Sequence, residues 1–279
     1  MSTGKVVLVL SGGGARTAAQ IGAMQALLAG GIAPTNFVGT SMGAVIAAMF
    51  ASGISPDEAL ARLTSIRDRD VIRPVRLGFL RGLWARQILE PAPLRAAIRR
   101  LVPLQRFGEL KYRLTVTATD VDSGGLMCFG EGGADAPLQD ALYASCALPL
   151  YYPPAAIGVR RFADGGLRAV LPLQVAGWFE PGLVVAVDVG PGFDEAIPPL
   201  GVHTAPAMVE AHSNATRILM GSQTAQTLAL WKLTPDRPPL VYIRPPVERG
   251  STFRIDQIRR YVDEGREAAL KSLAGLIPT

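Results

Sequence analysis

The sequence predicts an α/β fold: one three-layer α/β/α domain over residues 1–279, with a mostly parallel central sheet. Three observations carry that expectation. Short apolar runs alternate with helix-like stretches along the chain. The first two runs are separated by one helix of about three turns, as in a crossover between parallel neighbours. The opening run, Val6-Val7-Leu8-Val9-Leu10, is apolar without alternation, which is how a strand covered on both faces reads.

Strands are expected at 6–10, 37–40, 114–118, 126–129, 183–189 and 240–243, where β-branched and aliphatic residues cluster between turn formers. Helices are expected at 18–28, 42–51, 55–67, 93–101, 205–230 and 256–273. The start at Ser55-Pro56-Asp57-Glu58 has an N-cap serine, proline at the first helical position and acids in the first turn. In the last helix Ile258, Tyr261, Val262 and Leu270 are expected on one face. No repeat of 20–50 residues, low-complexity tract or linker divides the chain, so residues 191–279 are expected to complete the domain begun at about 5–190.

With 49% hydrophobic and 18% charged residues, the chain has the composition of a packed globule. The N-terminus lacks the layout of a signal peptide, and no run reaches the roughly 18 apolar residues of a membrane span. Two cysteines, Cys128 and Cys146, make neither a disulfide framework nor a zinc cluster. These features predict a cytoplasmic protein without a cysteine-held zinc site. The net charge of +5 is uneven: between Arg62 and Arg113 twelve arginines and Lys111 face four acids, leaving the rest at −4. One basic segment fits an anionic surface at one place and argues against nucleic acid. The oligomeric state is not legible.

After the second run comes Gly39-Thr40-Ser41-Met42-Gly43, a GxSxG followed by the apolar helix-like AVIAAMFASG. In that pattern serine sits on a sharp strand-to-helix turn, and glycines on either side leave room for the neighbouring turn. A nucleophilic serine needs a base. His203 and His212 are the chain's histidines, and the order Ser…Asp…His suits a triad. Against a triad, the elbow follows the second strand, too early for the α/β-hydrolase fold in which that order occurs. Asp164-Gly165-Gly166 offers a carboxylate instead, with two glycines that would permit close approach; an ordinary Asp-Gly turn has the same sequence.

Together the motifs resemble the patatin-like phospholipase family, over roughly residues 5–190. Its glycine-rich oxyanion loop corresponds to Gly12-Gly13-Gly14-Ala15-Arg16-Thr17, its elbow to Gly39–Gly43 and its aspartate motif to Asp164-Gly165-Gly166. The stretch 141–154 is similar to the family's Ala-Ser-x-x-x-Pro, and 115–125 to its central strand and turn. The chain departs from the pattern at Thr17, where the family usually has glycine. The resemblance implies a Ser41–Asp164 dyad, in which Ser41 is the nucleophile and Asp164 the proton acceptor. It also implies an oxyanion site at Gly12, Gly13, Gly14 and Arg16, a lipid ester or phospholipid as substrate, and no metal or organic cofactor.

The residues of the glycine loop agree. A Walker loop would end in Gly-Lys-Ser/Thr, and a dinucleotide fingerprint would need glycine at position 17 and an acid closing the second strand. The amides of Gly13 and Gly14, near a helix N-terminus, can instead hold an oxyanion. Arg16 is either a charge for that site or a surface cation.

In segment 73–89, Arg73, Arg76, Arg81 and Arg86 interleave with aliphatic residues and Trp84. That composition suits either peripheral contact with an anionic membrane or helices packed on the core with arginines outside. Two rival function classes use the same site: a soluble esterase, thioesterase or acyltransferase, and a regulatory binding protein.

Overall fold

The computed structural model describes residues 4–75, 87–192, 207–248 and 255–274. In chain order its elements are β1 (Val6–Leu10), α1 (Ala18–Ala29), β2 (Asn36–Thr40), α2 (Met42–Ala51), α3 (Pro56–Thr64) and α4 (Pro91–Leu101). Then come β3 (Arg113–Asp120), β4 (Leu126–Gly130), α5 (Leu138–Cys146), β5 (Ala155–Ile157), β6 (Arg160–Asp164) and α6 (Leu173–Ala176). The last are β7 (Leu183–Val187), α7 (Ala207–Leu233), β8 (Leu240–Ile243) and α8 (Ile258–Leu273).

The sheet order is β5-β6-β3-β2-β1-β7-β8, with β4 also paired to β3. The β3–β2–β1–β7–β8 pairings are parallel and those of β4, β5 and β6 antiparallel. Alternate residues of β1 serve opposite faces, as the pleat requires. Leu8 and Leu10 pack with α1, α2, α5 and α8, while Val7 and Val9 join Leu173 and Val175 of α6 and Trp231 of α7. The expected α/β fold, a mostly parallel sheet between helix layers, is what the chain adopts.

One detail of register builds the site. β3 pairs with β2 as far as Thr40↔Thr117 and with β6 from Ala118↔Asp164 onward. The chain leaving β2 and the chain arriving along β6 therefore end side by side, 123 residues apart in sequence.

The helix at the C-terminus differs from its sequence reading in one place. Tyr261, Val262, Gly265, Ala269 and Leu273 form its buried face, and Leu270 points outward. At 100° per residue Leu270 stands about 900°, a net half turn, from Tyr261, so the two cannot share a face; a backbone crossing fixes which side is buried. A Cβ on Gly22 of α1 would lie 1.8 Å from the Val262 carbonyl oxygen, and one on Gly265 would lie 1.9 Å from that of Ala19. Glycine on both helices lets α1 and α8 touch there, which sets the rotation of α8 and turns Leu270 away.

Candidate active site

Ser41 stands between β2 and α2 with φ +55° and ψ −136°, a conformation costing about 1–3 kcal/mol for a non-glycine residue. The flanking glycines make the turn possible. A Cβ on Gly39 would lie 2.5 Å from Ala44 Cα, and one on Gly43 2.2 Å from the Ser11 carbonyl oxygen. The Ser41 amide donates to Ser145 Oγ at 2.7 Å, and Ser145 Oγ donates to the Thr117 carbonyl at 2.6 Å. Ser145, in the Ala-Ser-x-x-x-Pro stretch, thus pins the elbow to β3. Its motif was visible in the sequence, but this role was not.

The Ser41 hydroxyl donates to Asp164 Oδ2 at 2.7 Å, and Asp164 Oδ1 accepts from the Gly166 amide at 2.7 Å. The two glycines after the aspartate have separate uses. A Cβ on Gly165 would lie 2.5 Å from the Thr117 carbonyl, so this turn can press onto β3 only without a side chain. Gly166 supplies the amide. Asp164 is buried, and burial pushes its carboxyl up from an ordinary 3.8 to about 6, against the opposing pull of the Gly166 and Ser41 hydrogen bonds. Beside them, burial and the Asp164 carboxylate raise the Cys146 thiol well above its usual range. That thiol stays protonated at neutral pH.

The glycine loop lies against the same serine: a Cβ on Gly12 would come within 3.2 Å of Ser41 Cβ. The Gly12 amide already donates to the Val170 carbonyl at 3.0 Å, so Gly12 shapes the loop without offering a donor. Among the described residues the amides of Gly13 and Gly14 have no such partner. Arg16 is buried and its Nε donates to the Gly13 carbonyl at 3.1 Å, so it braces the loop rather than facing solvent. In a trans peptide the carbonyl and the next amide point in opposite directions. Anchoring Gly13 O therefore fixes the direction of the Gly14 N–H. Thr17, at the departure from the family pattern, donates its hydroxyl to the Gly14 carbonyl at 2.7 Å and steadies the next peptide.

The floor of this loop comes from residues with no local sequence signal. A Cβ on Gly13 would sit 2.7 Å from Val189 Cγ2 and 3.0 Å from the Val189 carbonyl. Next to Val189, fully buried Asp188 accepts from the Gly190 amide at 2.9 Å and the Tyr242 hydroxyl at 2.7 Å, and it pairs with Arg244. Three elements distant in sequence meet only because β1, β7 and β8 are neighbours in the sheet.

A cavity of about 100 Å³ opens at Ser41 and Asp164. Beyond the dyad its walls are largely aliphatic: Leu63 from α3 and Ile66 just after it, and Leu94, Ile98 and Leu101 from α4. Among the described residues no group of three or more His, Cys, Asp or Glu side chains could hold a metal ion. His212 lies on α7 with its ring 3.5 Å from the Thr216 hydroxyl, while the hydrogen bonds of Ser41 and Asp164 go to each other, Ser145 and Gly166; His203 lies outside the described residues. Arg73 is exposed and sits 3.5 Å from Glu90. Arg76, Arg81, Trp84 and Arg86 also lie outside the described residues. Several other arginines of the basic stretch face acids, with Arg62 on Glu58, Arg95 on Asp140 and Arg100 on Asp70. Among the described residues no helix is long and apolar enough to cross a membrane.

Comparison with known proteins gives three likenesses. An uncharacterised NTE family protein of Mycobacterium tuberculosis is 30% identical over 236 residues, covering 85% of this chain and 60% of the relative, so the chain spans about three fifths of that protein's length. The human omega-hydroxyceramide transacylase is 33% identical over 169 residues, covering 58% of this chain and 30% of that protein. In fold, the crystal structure of VipD from Legionella pneumophila matches with a TM-score of 0.52 at 15% identity, covering 98% of this chain and 67% of that one. The sequence model described as patatin-like phospholipase matches residues 8–176, which hold the glycine loop, the elbow and the aspartate motif. On that match, the chain belongs to the patatin-like phospholipase family.

Proposed function

We propose that the protein is a serine lipid acyl hydrolase that cleaves a carboxylic ester of a phospholipid or lysophospholipid through Ser41 and Asp164. One observation carries the reading: a hydroxyl donated at 2.7 Å to a buried carboxylate, at the mouth of an apolar cavity. An acyl chain would lie among Leu63, Leu94 and Ile98, each buried methylene contributing about 0.8 kcal/mol. Asp164, with a pKa of about 6, is mostly ionised at pH 7 and close enough to that pH to exchange a proton readily.

Ser41 Oγ attacks the ester carbonyl carbon while its proton passes to Asp164. The tetrahedral oxyanion is held by the Gly13 and Gly14 amides, fixed beforehand by Arg16 and Val189. Collapse breaks the bond to the leaving alkoxide, which takes the proton from Asp164, and an acyl ester remains on Ser41. Water then attacks that ester and gives its proton to Asp164. The second collapse releases the fatty acid and returns the proton to Ser41.

The likeness to a human transacylase favours one second reading, in which a lipid hydroxyl rather than water takes the acyl group. The test is turnover of phospholipid vesicles beside a short soluble ester, with and without added long-chain alcohol. Release of free fatty acid supports the hydrolase, and an ester product at the expense of fatty acid supports the transferase. Turnover of the soluble ester alone would contradict a lipid substrate.

A further inference from the structure

Behind the dyad, threonines stand where the strands need only aliphatic residues. Thr40 closes β2 and Thr117 faces it across the ladder on β3, both fully buried. Valine has the same shape and a comparable strand preference, so neither burial nor propensity accounts for two hydroxyls there. Their geometry does. Thr40 Oγ1 stands 2.8 Å from the Ala169 carbonyl and 2.6 Å from Thr117 Oγ1. A carbonyl only accepts, so the single Thr40 hydroxyl proton goes to Ala169. Thr117 then donates to Thr40, in preference to the Gly39 carbonyl at 3.3 Å. The result is a directed chain of two hydrogen bonds. It runs from β3, through the residue before Ser41, to the segment that follows the aspartate motif.

That chain joins all three parts of the site. Ala169 closes the turn that presents Asp164, since its amide and that of Arg168 donate to the Gly165 carbonyl at 2.9 and 3.0 Å. The next carbonyl, of Val170, takes the Gly12 amide of the glycine loop. The Thr117 carbonyl accepts from Ser145, which holds the Ser41 amide. Two residues on, Thr119 Oγ1 donates to the Asp164 carbonyl at 2.9 Å. Thr117 thus reaches Ser41 by its backbone and the aspartate turn by its side chain.

We propose that the Thr117–Thr40 hydroxyl pair is a positioning element, which sets the elbow against the aspartate turn and keeps Ser41 Oγ within proton-transfer distance of Asp164. The proposal rests on the reading of Ser41 and Asp164 as nucleophile and base. Those two residues meet through one contact of 2.7 Å, and a displacement of about 1 Å at such a contact costs about 10²-fold in rate. Neither threonine lines the cavity, so their loss should act on kcat and leave KM alone.

The experiment compares Thr117→Val and Thr40→Val with Thr117→Ser and Thr40→Ser in the full chain. Soluble-ester kinetics give kcat and KM across pH, and a fluorophosphonate gives the rate of Ser41 labelling. Thr115→Val is the control for burial: Thr115 is also buried on β3, and its hydroxyl donates to the Glu131 carbonyl at 2.7 Å, just past the end of β4. Each valine variant at 40 or 117 should lower kcat and the labelling rate about tenfold or more, with KM within about twofold of wild type. The acid limb of the pH profile should move up from about 6, because the Ser41 hydrogen bond helps hold the Asp164 carboxyl down against burial. The serine variants keep the hydroxyl and should restore both. The double valine variant should lose no more kcat than Thr40→Val alone, since Thr40 makes both bonds of the chain. Thr115→Val should unfold at lower urea yet keep wild-type kcat. If one valine variant does not fold, the other decides by the same measures. Wild-type kcat and acid limb in the valine variants, a loss no greater than in Thr115→Val, equal damage in the serine variants, or multiplicative losses in the double variant would each overturn the proposal. A wild-type chain whose Ser41 takes no label overturns the dyad reading and the positioning together. Labelling of wild type and valine variants at equal rates overturns the positioning alone.

Discussion

Replacing Asp164 by Asn should make the protein more stable and inactive at once. In the fold, burial raises this carboxyl from 3.8 to about 6, so the native state holds the proton more tightly than the unfolded chain does. Between those values the native state binds more protons, and stability falls as pH rises. The loss is complete above about pH 6, where the shift converts to about 3 kcal/mol of destabilisation. Asparagine is neutral at every pH, and its side-chain oxygen can accept from either the Ser41 hydroxyl or the Gly166 amide. Asp164→Asn should therefore exceed wild type by about 1–3 kcal/mol at pH 8, and the two should converge below pH 4. Urea unfolding at pH 4, 5, 7 and 8 measures the difference. Ester hydrolysis should fall at least about 10³-fold, since an amide cannot take the serine proton. A variant that is less stable than wild type by the same amount at pH 4 and pH 8 would refute the reasoning, because the carboxylate would then carry no burial penalty.

Other outcomes follow from the same geometry. The kcat/KM of a soluble ester should decline below about pH 6, tenfold per pH unit, as Asp164 is protonated; His212→Ala should leave that profile unchanged. Gly13→Ala should lower kcat by about 10²-fold with little change in KM, because its Cβ would displace the loop from Val189 and the lost interaction forms only in the transition state. Arg244→Met should cost about 3 kcal/mol in denaturant unfolding, since it leaves the buried Asp188 carboxylate without its charge partner. It should also lower kcat, as the Asp188–Gly190 turn beneath the glycine loop loses one of its anchors.

The parts of this molecule that were legible in the sequence are those where a local pattern suffices. β1 and β2 read as strands because both their faces are buried, and the glycines of the elbow are demanded by backbone contacts a few residues away. β6, which carries Asp164, was not legible as a strand: it begins with the exposed pair Arg160 and Arg161, and three of its residues pair with β3. Nothing local announces that register, although the Asp-Gly-Gly that follows it stood out. Asp188, Val189 and Arg244 were missed for a related reason, since their contact with the glycine loop exists only through neighbouring strands. Leu270 was placed on the wrong face against the periodicity itself, since nine residues from Tyr261 is about 900°, half a turn away.

The central claim is that Ser41, activated by Asp164, is the nucleophile. Intact-mass and peptide mass spectrometry after treatment with a fluorophosphonate tests it most directly. The account predicts one adduct, on Ser41, absent in Ser41→Ala, slowed at least about 10³-fold in Asp164→Asn and unchanged in His212→Ala. An adduct on another residue, or labelling of Ser41 at the wild-type rate in Asp164→Asn, would contradict it.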